Sequence, residues 1–227
     1  MILAGITIHD PDVVFTDLGL AALGAWCAWR LLATPRTGPL GTADVRLMGG
    51  LASAAFWGAV FHAFFPDDTA TTAGFIAWIP VSLSIVVAAS ALLECAFRTL
   101  TPGLHPRIRR AVVAIYAVAF ALMVLLVDES FTTIVRFYVP ALLFFLVGAA
   151  VRAVREVRSG GGWTLIALGL ALSAGAAALQ QLQVALHPVY FDHNAVYHVV
   201  QAAALVVLYL GLRRVAKASP IAAVVNS

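Results

Sequence analysis

The chain has 227 residues, 62% hydrophobic and 11% charged, with a mean hydropathy of +0.96 and a formal net charge of +3. A water-soluble domain carries about 25% charged residues, so this composition excludes an ordinary soluble fold and points to a surface that faces lipid. At about 20 residues per span, the length accommodates seven transmembrane helices and no separate soluble domain.

The spans are read in chain order from apolar runs and their punctuation. The first is expected over about Val13 to Leu32, with Asp10 as N-cap before Pro11. The second covers about Val45 to Phe65 and stops at Pro66-Asp67-Asp68. The third runs about Ala73 to Phe97, the fourth about Ala111 to Val127, and the fifth about Phe131 to Val151. After Ser159-Gly160-Gly161-Gly162, the sixth covers about Trp163 to Leu186, and the seventh about Asp192 to Leu212. The opening segment, MILAGITIHDPD, has no basic region before its apolar residues and does not read as a cleaved signal peptide. Cys27 and Cys95 fall in or beside apolar runs and form no CxxC pair, so no disulfide framework is inferred.

The charges give this count a direction. Arg36 falls between the first two spans, with Arg30 and Arg46 at their facing ends, and Arg98, Arg107, Arg109 and Arg110 fall between the third and fourth. Arg152, Arg155 and Arg158 follow the fifth, and Arg213, Arg214 and Lys217 follow the seventh. Of the 14 basic residues only Arg136 lies near the opposite side, so the positive-inside rule predicts a cytoplasmic C-terminus and an external N-terminus. The expected fold is thus an all-α bundle of seven transmembrane helices, N-terminus outside. The basic clusters are topology signals between apolar runs, despite a pI of about 9.2, and no nucleic-acid partner is expected.

Polar groups collect at the other end. His9, His62, His187, His193 and His198 all lie there, with Asp10, Asp12, Asp17 and Asp192. Ionisable groups within a membrane are costly and generally face the bundle interior. Asp17 stands about one turn into the first span, where the helix dipole alone also favours an acid. His62 lies near the outer end of the second span on a face of small residues, Ala55 and Gly58 among them. The seventh span opens with Asp192, His193 and Asn194. Asn194, His198 and Gln201, at i, i+4 and i+7, form one polar stripe. Gln180, Gln181 and Gln183 end the sixth span as interfacial residues or as supports for the site. A cavity lined by Asp17, His62, His193 and His198 would suit zinc, with three imidazole ligands, an open position for water, and Asp17 as the catalytic base. Asn194, Gln201 and Asp192 would support this shell. Glu94 reads as a partner for Arg98 at i+4, and Tyr116 and Tyr138 as packing residues.

Phe61-His62 and Tyr197-His198 resemble parts of the second-helix and seventh-helix histidine motifs of the seven-helix membrane hydrolases, which include alkaline ceramidases and progestin/adiponectin receptors. The resemblance implies a zinc-dependent amidase or esterase acting on a lipid-like substrate, with membrane lipids as neighbours. Gly58 stands at that family's serine position and Asn194 at its first seventh-helix histidine, and the third span has no aspartate in its membrane portion. His193 and Asp17 are the available substitutes. Thr16-Asp17-Leu18 and His193-Asn194-x-x-Tyr197-His198 also resemble a group of bacterial seven-helix proteins, which implies a bacterial cytoplasmic membrane. The alternative expectation is a non-catalytic sensor or receptor that binds a ligand or metal in the same pocket. A retinal protein is disfavoured because the only lysine, Lys217, lies beyond the last span.

Overall fold

The computed structural model describes residues 1–3, 6–35, 37–65, 68–155, 161–187 and 191–217. Arg36, Pro66, Asp67, Arg158, Ser159 and Gly160, used above as topology or boundary signals, lie outside them. The described residues form seven helices, all long and apolar enough to cross a membrane. They are α1 (Pro11–Leu32), α2 (Ala43–Phe64), α3 (Thr72–Leu100), α4 (Pro106–Leu126), α5 (Phe131–Arg155), α6 (Gly162–Gln181) and α7 (His193–Lys217). A two-stranded hairpin, β1 (Ile2–Leu3) with β2 (Ile6–Thr7), precedes them, and a short 3-10 turn covers Asp68–Ala70.

Helix ends depart from the expected spans for local reasons. The α4 helix starts five residues early because Pro106 occupies its first turn, where its fixed φ suits the helix, and the His105 side chain accepts from Arg107 N at 3.3 Å. The α6 helix stops at Gln181 rather than near Leu186. Gln183 adopts φ +53°, and the turn closes with Val184 N to Leu179 O and Gln183 N to Gln180 O, each 3.0 Å. That pairing is the Schellman termination, here with a glutamine at its left-handed position. Asp10 precedes α1 as expected, but its carboxylate makes no cap bond; it turns towards His62.

Six helices close into a ring. The α1 helix packs between α2 and α7, α3 between α2 and α5, and α6 between α5 and α7. The α4 helix stands outside, against α3 and lightly against α5. It is held by Phe120 and Val124 packed on Val86, Ala89 and Ile134, with the Phe120 and Phe137 rings stacked at 4.6 Å. Small residues let the ring tighten, as in lipid-embedded bundles. A Cβ on Gly50 would lie 2.8 Å from Ala88 N, and one on Gly169 would lie 2.7 Å from Leu208 N. The contact faces of α2 with α3 and of α6 with α7 are therefore backbone against backbone.

At the arginine-rich end, Glu94 is buried and receives Arg98 through Nε at 2.9 Å and Nη2 at 2.7 Å, as the i+4 spacing led one to expect. Arg46 of α2 also pairs with Glu94. Arg98 Nη1 reaches Pro39 O at 3.4 Å, and Gly38 N donates to Ala216 O at 3.1 Å. These contacts tie the α1–α2 connection to α3 and α7, closing that end of the ring.

Candidate functional site

The opposite half of the ring encloses a cavity of about 310 Å3. Its wall comes from the N-terminal halves of α1, α3, α5 and α7 and the C-terminal halves of α2 and α6, with α4 absent. On α7 the lining runs from His193 to Leu205, about 18 Å at 1.5 Å per residue. The floor is apolar, with Leu20, Leu51, Ile85 and Leu205.

Asp17, His62, His193, Asn194, His198 and Gln201 all line this one cavity. Asp192 does not. It caps α7, its Oδ1 accepting from Asn194 N and Ala195 N, both at 2.9 Å.

Asp17 and His198 form the centre. Asp17 is 3% exposed and His198 8%, and His198 Nε2 lies 3.1 Å from Asp17 Oδ1. Behind the ring, His198 Nδ1 lies 3.1 Å from Thr16 Oγ1. The Thr16 hydroxyl donates to Asp12 O at 2.8 Å, with Val13 O also in reach at 3.0 Å. Its single proton thus turned inward along α1, Thr16 is left to accept from Nδ1–H. That assignment puts one proton between Nε2 and Asp17 Oδ1. Thr16 does not line the cavity; it orients the imidazole from behind, as a carboxylate or carbonyl does for working histidines elsewhere. Asp17 Oδ2 meanwhile packs against Gly58, and a Cβ there would lie 2.9 Å from it. The glycine in the serine position of the resemblance is therefore the space that the α1 carboxylate fills.

The other two histidines have separate partners. His62 Nδ1 is 3.5 Å from Asp10 Oδ2, and hydrogen bonding to this imidazole holds the Asp10 carboxyl below the usual carboxylate range. Backbone bonds from His9 N to Ala63 O and Asp10 N to His62 O fasten the same segment to α2. His193 Nδ1 is 3.8 Å from Asp192 Oδ2. Between α6 and α7, Gln201 Nε2 donates to Ser173 Oγ at 3.1 Å and Gln180 Nε2 to Asn194 Oδ1 at 3.3 Å. Asn194 and Gln201 thus act as bridges between helices that also face the cavity.

The donor set for zinc does not converge in this arrangement. Among the described residues no group of three His, Cys, Asp or Glu side chains is placed to hold a metal ion, and both nitrogens of His198 are already engaged. Cys27 and Cys95 are buried free thiols outside the cavity lining.

Several lining residues escaped the sequence reading. Tyr138, expected to pack, lines the cavity, as do Trp78 and Glu129, and Tyr197 of the seventh-helix motif joins them. Trp78 Nε1 donates to Glu129 O at 2.8 Å, joining α3 to the α4–α5 connection. Only the register of α3 and α5 around the ring reveals Trp78 and Tyr138. Tyr116 does pack, its hydroxyl donating to Phe137 O at 2.8 Å.

The fold and site define a seven-helix protein with membrane-length apolar helices and a polar-centred internal cavity. Residues 13–217 match the family described as "Family of unknown function (DUF6962)", and the chain belongs to that family. No curated protein and no solved structure matches it.

Proposed function

We propose that the chain is a membrane-embedded binding protein of the sensor or receptor kind, which takes a small amphipathic molecule into the six-helix cavity. One observation carries this reading: a cavity of about 310 Å3 with an apolar floor and a buried Asp17–His198 pair at its centre. Small-ligand pockets begin near about 300 Å3 and combine apolar walls with a few converging polar groups. The volume equals roughly ten waters, which suits a single short chain or ring rather than a two-chain lipid. The arginine distribution supports a cytoplasmic Glu94 end and a cavity in the outer half of the bilayer. The resemblance to bacterial seven-helix proteins supports a bacterial cytoplasmic membrane as that bilayer.

The test is a titration of the protein in phosphatidylcholine nanodiscs with n-octanol, n-octylamine and octanoate, beside an Ala54→Phe variant whose new ring fills the cavity. Saturable binding of at least one probe, lost in the filled variant, is expected. No saturable binding, or binding indifferent to Ala54→Phe, would sink the reading.

A second reading, a hydrolase acting on a lipid-like substrate, is favoured by the Asp17–His198 contact, since a carboxylate-held imidazole is a working acid–base unit. Its test is product release from a short-chain ceramide and an acyl ester by wild type and Asp17→Asn; absence of turnover refutes it. Zinc enters this reading only through elemental analysis of purified protein. About one zinc per chain, lost in His62→Ala and His198→Ala, would establish a ligand set that the arrangement described does not assemble.

A further inference from the structure

The cavity's charge inventory narrows its ligand, and this step rests on the binding reading above. Asp17 and Glu129 are its two carboxylates. Among the described residues, no lysine or arginine lines it. Arg136, the one arginine or lysine near this end, is exposed on α5, near enough to help lower the Asp128 carboxyl, and does not line the cavity. Three imidazoles share the wall, but an imidazole is not a permanent cation: the proton held between His198 Nε2 and Asp17 Oδ1 leaves to solvent when an ammonium takes its place, so the occupied site presents the Asp17 carboxylate beside a neutral ring.

The remaining wall is unusually aromatic. Phe61, Trp78, Phe131, Tyr138 and Tyr197 all line it, with the Phe61 and Trp78 rings 4.9 Å apart. Aromatic faces attract cations, and more strongly where water is excluded. An anionic headgroup would enter with two carboxylates nearby and no fixed positive charge to meet it, and burying an unpaired charge is costly. A protonated amine reverses each of these terms. It meets the carboxylate of Asp17 in a low-dielectric site and the electron-rich ring faces around it, while its apolar body reaches the floor at Leu51, Ile85 and Leu205.

We infer that the cavity binds a small organic cation, a protonated amine carrying one apolar chain or ring of on the order of ten heavy atoms. Asp17 is its charge partner, and Glu129 contributes at the α4–α5 connection.

The probe panel decides this in wild type alone. At pH 8, where an ordinary amine is charged and an ordinary imidazole neutral, n-octylamine should bind about tenfold or more tighter than n-octanol, and tighter still than octanoate. Asp17→Asn should abolish that preference, and Glu129→Gln should reduce it about threefold without affecting the fold. If Asp17→Asn fails to fold, Glu129→Gln and the wild-type ranking remain as tests. Octanol or octanoate binding as tightly as octylamine would overturn the inference while leaving the binding reading intact. Absence of binding by all three would overturn both.

Discussion

Gly58→Ala probes the centre of the site with a single methyl group. The new Cβ would lie 2.9 Å from Asp17 Oδ2 and 3.5 Å from its Cγ. A free carboxylate would simply swing away. This one is buried and held at 3.1 Å by His198, and Thr16 fixes the imidazole from behind. The methyl must therefore displace the carboxylate, loosening a bond with charged character, or push α2 from α1. Overpacking of this kind costs about 1–3 kcal/mol. Alanine returns up to about 1 kcal/mol through helix propensity, so the net effect needs a reference. Gly49 provides it: it lies on the same helix, and a Cβ there meets nothing within 4 Å. The propensity gain is common to both, so Gly58→Ala is expected to be about 1–3 kcal/mol less stable than Gly49→Ala. For a chain of this length, that is a gap of about 2–12 °C in Tm.

Cys27 and Cys95, both fully buried free thiols, make a thiol-reactive dye a direct reporter of unfolding in detergent. The cause is isolated by repeating Gly58→Ala in an Asp17→Ala background, where the penalty should vanish because the clashing atoms are gone. Equal stability of Gly58→Ala and Gly49→Ala would refute the reasoning. So would a penalty that persists without the Asp17 carboxylate, since it would then belong to the α1–α2 backbone contact.

Glu94→Ala should cost about 3 kcal/mol in the same melting assay, because it leaves Arg46 and Arg98 facing each other at the closed end; a loss below 1 kcal/mol would show that these arginines simply turn to water. Asp192→Ala removes the acceptor for two α7 amides and should cost about 1 kcal/mol, while Asp192→Asn should retain most of the stability. Gln183→Gly relieves the φ +53° at the end of α6 and should raise stability by about 1 kcal/mol, a gain that melting of the variant would show or refute. Asp128 accepts from Thr133 Oγ1 and from Ser130 N, and the Thr133 bond foremost holds its carboxyl below the ordinary 3.8. A group whose folded value is depressed stabilises above its unfolded pKa and loses that contribution as pH falls through the folded value. The Tm advantage of wild type over Asp128→Asn should thus be flat above about pH 5 and shrink below about pH 4; an advantage independent of pH would count against it.

The parts of this molecule that the sequence could reveal are those written in one dimension. Apolar length gives each span, and a stripe such as Asn194, His198 and Gln201 shows which face of α7 turns inward. Glu94 and Arg98, four residues apart on one helix, could be paired before any fold was known. The second arginine on Glu94 comes from another helix, forty-eight positions away, and no local pattern encodes it. The same limit explains Trp78 and Tyr138. An aromatic residue in an apolar helix looks alike whether it meets lipid, a neighbour or a cavity, and only the exclusion of α4 from the ring turns these two faces inward.

Gly58 shows how the missing dimension changes a residue's meaning. Compared position by position with a serine-bearing motif, it is a loss of function on α2. In three dimensions the space beside that position is filled from α1, since Asp17 Oδ2 lies 2.9 Å from where a Cβ on residue 58 would begin. A polar atom from another helix occupies the space beside residue 58, and the glycine is the condition for that contact. His198 follows the same logic: its Nε2 faces this carboxylate and its Nδ1 faces Thr16, so two adjacent residues of α1 engage both nitrogens. A sequence comparison limited to histidines would count ligands for a metal. Counting hydrogen-bond partners instead leads to a carboxylate and an imidazole that hold one another, in a cavity without a lysine or arginine among its described lining residues.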